Sequence, residues 1–399
     1  ITYETTGDQV EAEDINLVQD EIVNEIERAI AEETRIDTKL NNEIVRAIAE
    51  DEIIEPLHLV LIEEPEAHLH AQVQQVFIKK AYDVLRNNTE LGDNKDFTTQ
   101  LIISTHSSYI AHQKFESLRY FKRNTSLELP TSEVVNMKSV FGSEEKETEK
   151  FVVRYLNTTH NDLFFADAAI LVEGPAERIL VPHFIKNESN LLDRCYITIL
   201  EIGGSHAHRL KPLIEKLGLI CLVITDIDSI DSNSKCQPEI EKGYKTSNHT
   251  LKTWHPKKEL LDDLLNLESK DKVMEEFPIR IAYQGGIEFK AENCTIYPYT
   301  FEDALVIENR EILKDIEGST GLLKKMVEAS MEQNIKEFGD KAYEIITGKQ
   351  VKKAEFAMDI LYFQEPEKIK PPTYIKEGLD WIEEQLKSNK QGLIIGAND

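Results

Sequence analysis

Residues 168–177 read Ala-Ala-Ile-Leu-Val-Glu-Gly-Pro-Ala-Glu, and residues 219–228 read Leu-Ile-Cys-Leu-Val-Ile-Thr-Asp-Ile-Asp. Each is an apolar run of strand length that ends in acid. In the first, Ala168–Val172 predicts a strand, Gly174-Pro175 a turn and Ala176–Ile185 a helix. Glu173 and Glu177 are four apart and converge across that turn. In the second, a strand over Leu219–Thr225 ends at Asp226 and Asp228. These are two apart, so both project to one side of an extended chain. Between the two runs the sequence predicts a strand at Tyr196–Glu201 and a helix at His208–Leu217. Strands alternating with helices of about ten residues mean an α/β fold, a parallel sheet with helical cover. Ligands of such sheets sit at the C-terminal ends of the strands. Three or four carboxylates at neighbouring strand ends suit a hard cation, Mg2+ or Mn2+. Two such ions activate water and stabilise the leaving oxygen in phosphodiester cleavage. Taken singly, Glu177 only favours a helix N-terminus and the other acids only face solvent; order, strand context and spacing together mark a site.

Further upstream, Leu57–Ile62 predicts a buried strand followed by Glu63-Glu64-Pro65-Glu66-Ala67-His68-Leu69-His70. A helix is predicted at Ala71–Arg86, then a second strand at Leu101–Ile103 that ends in Ser104-Thr105-His106-Ser107. One of the paired acids is placed to hold Mg2+ or its water and the next to polarise an attacking water. His106 falls at the same edge, in reach of a γ-phosphate. Before these strands the chain is acidic and helical in pattern. Asn24–Glu32 reappears as Asn42–Glu50, 18 residues on, which is five helical turns and keeps one face. Downstream, Asp231–Thr250 predicts a polar surface loop. Helices are predicted near 257–275, 301–347, 350–363 and 373–387, with a short strand near 295–299. The expected organisation is an acidic helical segment over 1–55, one α/β unit over 56–165 and a second over 166–399.

Composition narrows the function. The 399 residues carry 46 Lys plus Arg against 73 Asp plus Glu, a net charge of −27. That balance excludes a generic basic nucleic-acid coat. It leaves a nuclease open, because bound divalent cations supply positive charge locally. No apolar run approaches the roughly 18–20 residues of a membrane span. Cys195, Cys221, Cys236 and Cys294 form no CxxC pair, so reduced thiols and a cytoplasmic location are expected. The chain begins at Ile1 without Met and without a signal-peptide pattern, as a fragment or a processed chain does.

The run from Glu63 to His70 with His106 resembles the ABC-type ATPases: Glu63-Glu64 looks like the Walker B ending, Pro65–His70 like the D-loop and His106 like the switch histidine. No G-x-x-x-x-G-K-[ST] and no LSGGQ-like sequence occurs among the 399 residues. The resemblance is therefore to the C-terminal half of such a lobe, and ATP is expected as a ligand only together with the other half. The Glu173–Asp228 constellation resembles the Toprim domain. An ATPase half followed by Toprim is similar to the OLD (overcoming lysogenization defect) family, which includes the nuclease subunit of Gabija-type anti-phage systems. That resemblance implies a DNA endonuclease or nickase dependent on two Mg2+ or Mn2+ ions. It further implies a nucleotide-responsive lobe, homo-oligomeric assembly, a helicase-type partner and a role in anti-phage defence. By the same resemblance Glu173 is a metal ligand and general base, Asp226 and Asp228 are metal ligands, and Glu177 helps hold the second ion. Glu302 matches a later acid, with Asp303 as fallback, and Lys353 matches a late lysine that offsets charge on the scissile phosphate. The alternatives are a Toprim topoisomerase or primase and a non-catalytic dimerising scaffold. A nucleophilic cleavage domain and zinc spacing, which the former need, are not recognisable in the sequence.

Overall fold

The computed structural model describes nine positions between Arg28 and Asn42, residues 58–68, residue 80, and residues 99–107, 115–124, 131–142, 145–159, 161–203, 206–348 and 351–395. The chain forms two compact units, 1–114 and 115–399. In the first unit, β1 (His58–Glu63) and β2 (Thr99–Ser104) pair in parallel, with Glu63 opposite Ser104. A 3-10 turn at Pro65–His68 follows β1. The described residues from Arg28 to Asn42 are helical. Most of the 18-residue echo and of the expected Ala71–Arg86 helix lies outside the described residues.

The second unit opens with an antiparallel hairpin, β3 (Arg119–Asn124) with β4 (Thr131–Asn136), and helix α1 (Lys146–Thr159). Then come β5 (Ala168–Val172), α2 (Pro175–Glu188), β6 (Ile197–Glu201), α3 (Lys211–Leu217) and β7 (Ile220–Ile224). A small antiparallel sheet of β8 (Ser229–Asp231), β9 (Ser234–Lys235) and β10 (Lys245–Thr246) leads to α4 (His249–Thr253) and α5 (Leu261–Leu265). β11 (Ile279–Ala282) and a hairpin of β12 (Ile287–Phe289) and β13 (Cys294–Ile296) follow. The helices α6 (Phe301–Glu308), α7 (Arg310–Leu313), α8 (Gly321–Ser330), α9 (Ile335–Thr347), α10 (Lys353–Leu361) and α11 (Thr373–Ile395) complete it.

The sheet that decides the fold has four strands in the order β11-β7-β5-β6, all parallel. β5 and β7 are buried at every residue, as expected of strands covered on both faces. Edge strand β6 alternates buried and half-buried. Helix α2 lays Ala176, Leu180, Val181, Phe184 and Ile185 against the core. Each such large apolar side chain contributes roughly 1.5–3 kcal/mol when fully buried. Helix α11 crosses β7 so closely that a Cβ on Gly378 would lie 2.7 Å from Leu222 Cδ1, so any larger residue there would push the Leu222 side chain aside.

Strand register aims the site. Ala168 pairs with Ile220 and Leu171 with Val223, so Glu173 emerges beside Thr225. Ala282 pairs with Ile224, so two residues on Gln284 emerges beside Asp226. Helix α10 packs on α2, which carries Lys353 towards Glu177.

The structure departs from sequence expectation in three places. Residues 257–275 form only the five-residue α5 and a 3-10 turn at Ser269–Lys272, because the polar run Glu268–Lys272 has no apolar face to bury. Residues 301–347 break into four helices, at Asn309, at the positive-φ Gly318 and Gly321, and at Met331–Asn334. The Asp231–Thr250 segment is not wholly a surface loop: Thr246, Asn248 and Thr250 are fully buried. No helix among the described residues is long and apolar enough to cross a membrane.

Candidate metal centre

The edge formed by the ends of β5, β7 and β11 gathers acids from three stretches of chain and a lysine from a fourth. Glu173 follows β5, and Glu177 sits in the first turn of α2 behind an extended Gly174 and Pro175 at the helix start. Asp226 follows β7, and Asp228 stands two residues on with a left-handed backbone, φ 49°. Glu302 lies in the first turn of α6, with no exposed surface. Lys353, the first residue of α10, reaches in among them. Its Nζ is 2.9 Å from Glu302 Oε2 and 4.0 Å from Asp226 Oδ2.

Hydrogen bonds hold these groups from both sides. Glu173 Oε1 accepts from the Thr225 hydroxyl, from Asp226 N at 3.2 Å and from Asn248 Nδ2 at 3.0 Å. Asp226 Oδ1 accepts from Gln284 Nε2 at 2.7 Å and from Phe301 N at 3.1 Å. Gln284 in turn accepts Ile227 N at 2.8 Å and donates weakly to the Tyr374 hydroxyl at 3.3 Å. Glu302 and Asp303 face different partners. Asp303 closes a capping box with Thr300, and its oxygens accept Tyr299 N, Thr300 N and Ala304 N. Glu302 faces Lys353 instead and accepts the Thr300 hydroxyl at 2.9 Å.

Crowding acids out of water raises their proton affinity. Burial pushes Glu177 up to about 8, with the charge of Glu302 adding to it. Burial and then the charge of Asp228 push Glu173 up to about 7. Burial likewise lifts Asp226 and Asp228 above the ordinary aspartate range. For Lys353 burial works downward, but Asp226 and Glu302 outweigh it and hold the ammonium above its usual value. Two carboxylate oxygens, Glu177 Oε2 and Glu302 Oε1, are buried without a hydrogen-bond partner. An all-oxygen, anionic donor set with orphaned oxygens fits Mg2+ or Mn2+. Among the described residues no three His, Cys, Asp or Glu side chains already stand in ligand spacing. The carboxylates therefore surround an ammonium, and a cation would draw them together.

A pH prediction follows. These acids bind protons more tightly folded than unfolded, so between about pH 4.5 and 8 the folded state carries more protons. Stability of the metal-free protein is expected to fall as pH rises through that window. Mg2+ or Mn2+, which binds the deprotonated folded form, is expected to raise Tm more at about pH 8 than at about pH 5.5. Thermal melts in EDTA and in added metal check this. A metal-free Tm that climbs with pH across the window would contradict it.

In the first unit, His106 Nε2 lies 3.2 Å from Glu64 Oε1, so these two expected partners meet at one strand edge. Glu63 is exposed at the end of β1. Glu66, whose role the sequence does not reveal, accepts the Thr105 hydroxyl at 2.7 Å and His106 N at 2.6 Å.

The residues around the acids correspond to a known domain. Residues 164–228 match the family described as overcoming lysogenization defect protein-like, TOPRIM domain. The chain carries an OLD-type Toprim domain. Residues 25–111 match an AAA ATPase domain. The chain is 31% identical over 360 residues to Endonuclease GajA of Bacillus cereus (strain HuB5-5), which is 84% of this chain and 50% of that protein. It is 30% identical over 151 residues to the OLD nuclease of Thermus scotoductus (strain ATCC 700910 / SA-01), covering 38% of this chain and 27% of that one. The chain thus spans half or less of the length of these curated relatives. The C-terminal region of the Burkholderia pseudomallei OLD protein aligns at 18% identity and a TM-score of 0.31, over 56% of this chain and 99% of that structure.

Among the partners of the clustered acids, direct or through Gln284, sequence reasoning misses Thr225, Asn248, Gln284 and Tyr374. Gln284 carried little signal, because Arg280 interrupts the short strand Ile279–Ala282 that leads to it. Asn248 carried none, because its polar neighbours read as surface.

Proposed function

We propose that the chain is the nuclease-bearing part of an OLD-type protein, a Mg2+- or Mn2+-dependent DNA endonuclease or nickase. The observation that carries this reading is the convergence of Asp226 and Glu302 on Lys353 Nζ, with Glu173 and Glu177 beside them. Glu173, Asp226 and Asp228 would hold one ion, and Glu177 and Glu302 would help hold a second. A bound ion of this kind supplies Lewis acidity and water of lowered pKa. Glu173 takes the proton of the attacking water. Lys353 balances the acids until substrate arrives and then faces the negative charge of the scissile phosphate. Asp303 keeps α6 capped, so that Glu302 holds its place.

Glu63, Glu64 and His106 serve the nucleotide-responsive lobe. ATP binding there requires a phosphate-cradling loop that the 399 residues do not include. The family resemblance of the sequence extends the proposal to a cytoplasmic homo-oligomer that acts on DNA, with a helicase-type partner and a role in anti-phage defence.

Supercoiled plasmid incubated with the chain and Mg2+ or Mn2+ tests the reading. Nicked or linear DNA that is lost in EDTA is the expected product. Relaxed closed circles would indicate a topoisomerase, and cleavage that survives EDTA would overturn the metal site.

A further inference from the structure

We propose that Asn248 is a positioning residue that locks Glu173 to the strand end bearing Asp226. The proposal rests on the metal-site reading above. Asn248 has no exposed surface, although it comes from a stretch rich in Ser, Asn, Lys and Thr. Its two ends do different work. Oδ1 caps α4, accepting Thr250 N at 2.8 Å and Leu251 N at 3.3 Å. That cap fixes which way the amide faces, because a flipped amide would turn its oxygen onto a carboxylate and lose both cap bonds. Nδ2 is left within hydrogen-bond distance of three acceptors: Thr225 Oγ1 at 2.7 Å, Asp226 O at 2.8 Å and Glu173 Oε1 at 3.0 Å.

The three acceptors belong to two strand ends. One is Glu173, beyond β5; the others are Thr225 and Asp226, beyond β7. Thr225 passes its own hydroxyl hydrogen to Glu173 Oε1, so the amide reaches that oxygen both directly and through Thr225. All the donors meet at Oε1, which leaves Oε2 as the atom to offer a cation. The segment that carries Asn248 is itself tied to the Asp226–Asp228 turn. Ser247 N donates to Asp228 O at 2.9 Å, and the Thr246 hydroxyl to Ile227 O at 2.6 Å. Asn248 N donates to Thr246 Oγ1 at 3.0 Å. The amide therefore joins three pieces: both acid-bearing strand ends and the excursion from β8 to α4. Left to itself, Glu173 would swing from the like charge of Asp228. Outer partners of metal-binding carboxylates typically change metal affinity by about 10–100-fold when removed.

Asn248→Ser separates the two ends of the side chain. Serine caps a helix as well as asparagine does, but is too short to reach Glu173. Mn2+ titration by calorimetry, plasmid nicking across Mn2+ concentrations and melting in EDTA are measured on the native chain, Asn248→Ser and Glu173→Gln. Asn248→Ser keeps the helix cap but strands buried acceptors, so its Tm in EDTA is expected to fall by a few degrees at any pH while the chain stays folded. Its half-saturating Mn2+ is expected to rise about tenfold in both titration and nicking, with the rate at saturating Mn2+ within about threefold of native. Should the serine variant fold poorly, Asn248→Thr, which also caps, carries the same expectation. Native Mn2+ binding in a folded Asn248→Ser, or a loss confined to Tm, would overturn the proposal while leaving the metal site standing. Absence of Mn2+ uptake by the native chain, or nicking by Glu173→Gln at the native rate, would instead remove the metal site and this proposal with it.

Discussion

Replacing Asp226 by Asn is expected to cut DNA cleavage about a thousandfold while making the metal-free protein more stable at alkaline pH. The two effects have one cause. Asp226 is nearly buried among Glu173, Glu177 and Glu302, and its carboxyl is held well above the ordinary range first by burial, with Lys353 opposing and the three glutamates adding. Charge there is unfavourable unless a cation compensates it. Asparagine keeps an oxygen for Gln284 Nε2 and Phe301 N, so the fold loses little. Removing one repulsive carboxylate should raise the EDTA Tm at about pH 8 by about 2–4 °C, the shift expected of roughly 1 kcal/mol in a domain of this size. Cleavage falls because a lost ligand withdraws several kcal/mol of charge stabilisation, and about 4 kcal/mol is a thousandfold. Melting curves and plasmid nicking on one preparation decide it. Cleavage at the native rate would remove Asp226 from the site, and a lower EDTA Tm would show its charge to be structurally favourable.

Lys353→Met is expected to move stability the other way while also impairing cleavage. Lys353 Nζ is the cation shown pairing with both Glu302, which has no exposed surface, and Asp226. Taking away one partner of a buried ionic cluster leaves unpaired charge behind, a loss of about 3 kcal/mol. The loss should be largest near pH 8 and smaller near about pH 5.5, where the acids take up protons in place of the lysine. Mg2+ should recover part of the stability at pH 8 by replacing the missing charge. Cleavage should fall about a hundredfold even in saturating metal, through the lost contact to phosphate charge. Denaturant unfolding at the two pH values, with and without Mg2+, checks the first part, and plasmid nicking the second. A variant as stable as the native chain at pH 8 would show that Lys353 is not what balances the cluster.

The strands that carry the acids were legible because both faces of a central parallel strand are covered, and unbroken runs such as Ala168–Val172 and Ile220–Ile224 have few other readings. The acids closing those runs were legible for the same reason: a charge directly after a buried strand must lie at the sheet edge. Glu302 and Lys353 were reached only through family resemblance. Neither ends a strand, and each comes to the cluster by helix packing, α6 with its capping box and α10 against α2. Arg280 hid β11 from view by putting a charge in a four-residue strand. The structure buries that guanidinium against Glu377 at 2.7 Å and Ser269. Asn248 was invisible because polarity marks surface only on average. Its cap of α4 is local, but the acceptors of its Nδ2 come from distant sequence and leave no local pattern to betray them.

The carboxylates after β5 and β7 are held to act as one cation site, and diffraction from Mn2+-loaded crystals at the manganese absorption edge tests that most directly. The predicted result is anomalous density bounded by Glu173, Asp226 and Asp228, with Glu177 and Glu302 alongside. Ordered carboxylates with no density between them, or density bound only at other acids of the chain, would contradict it.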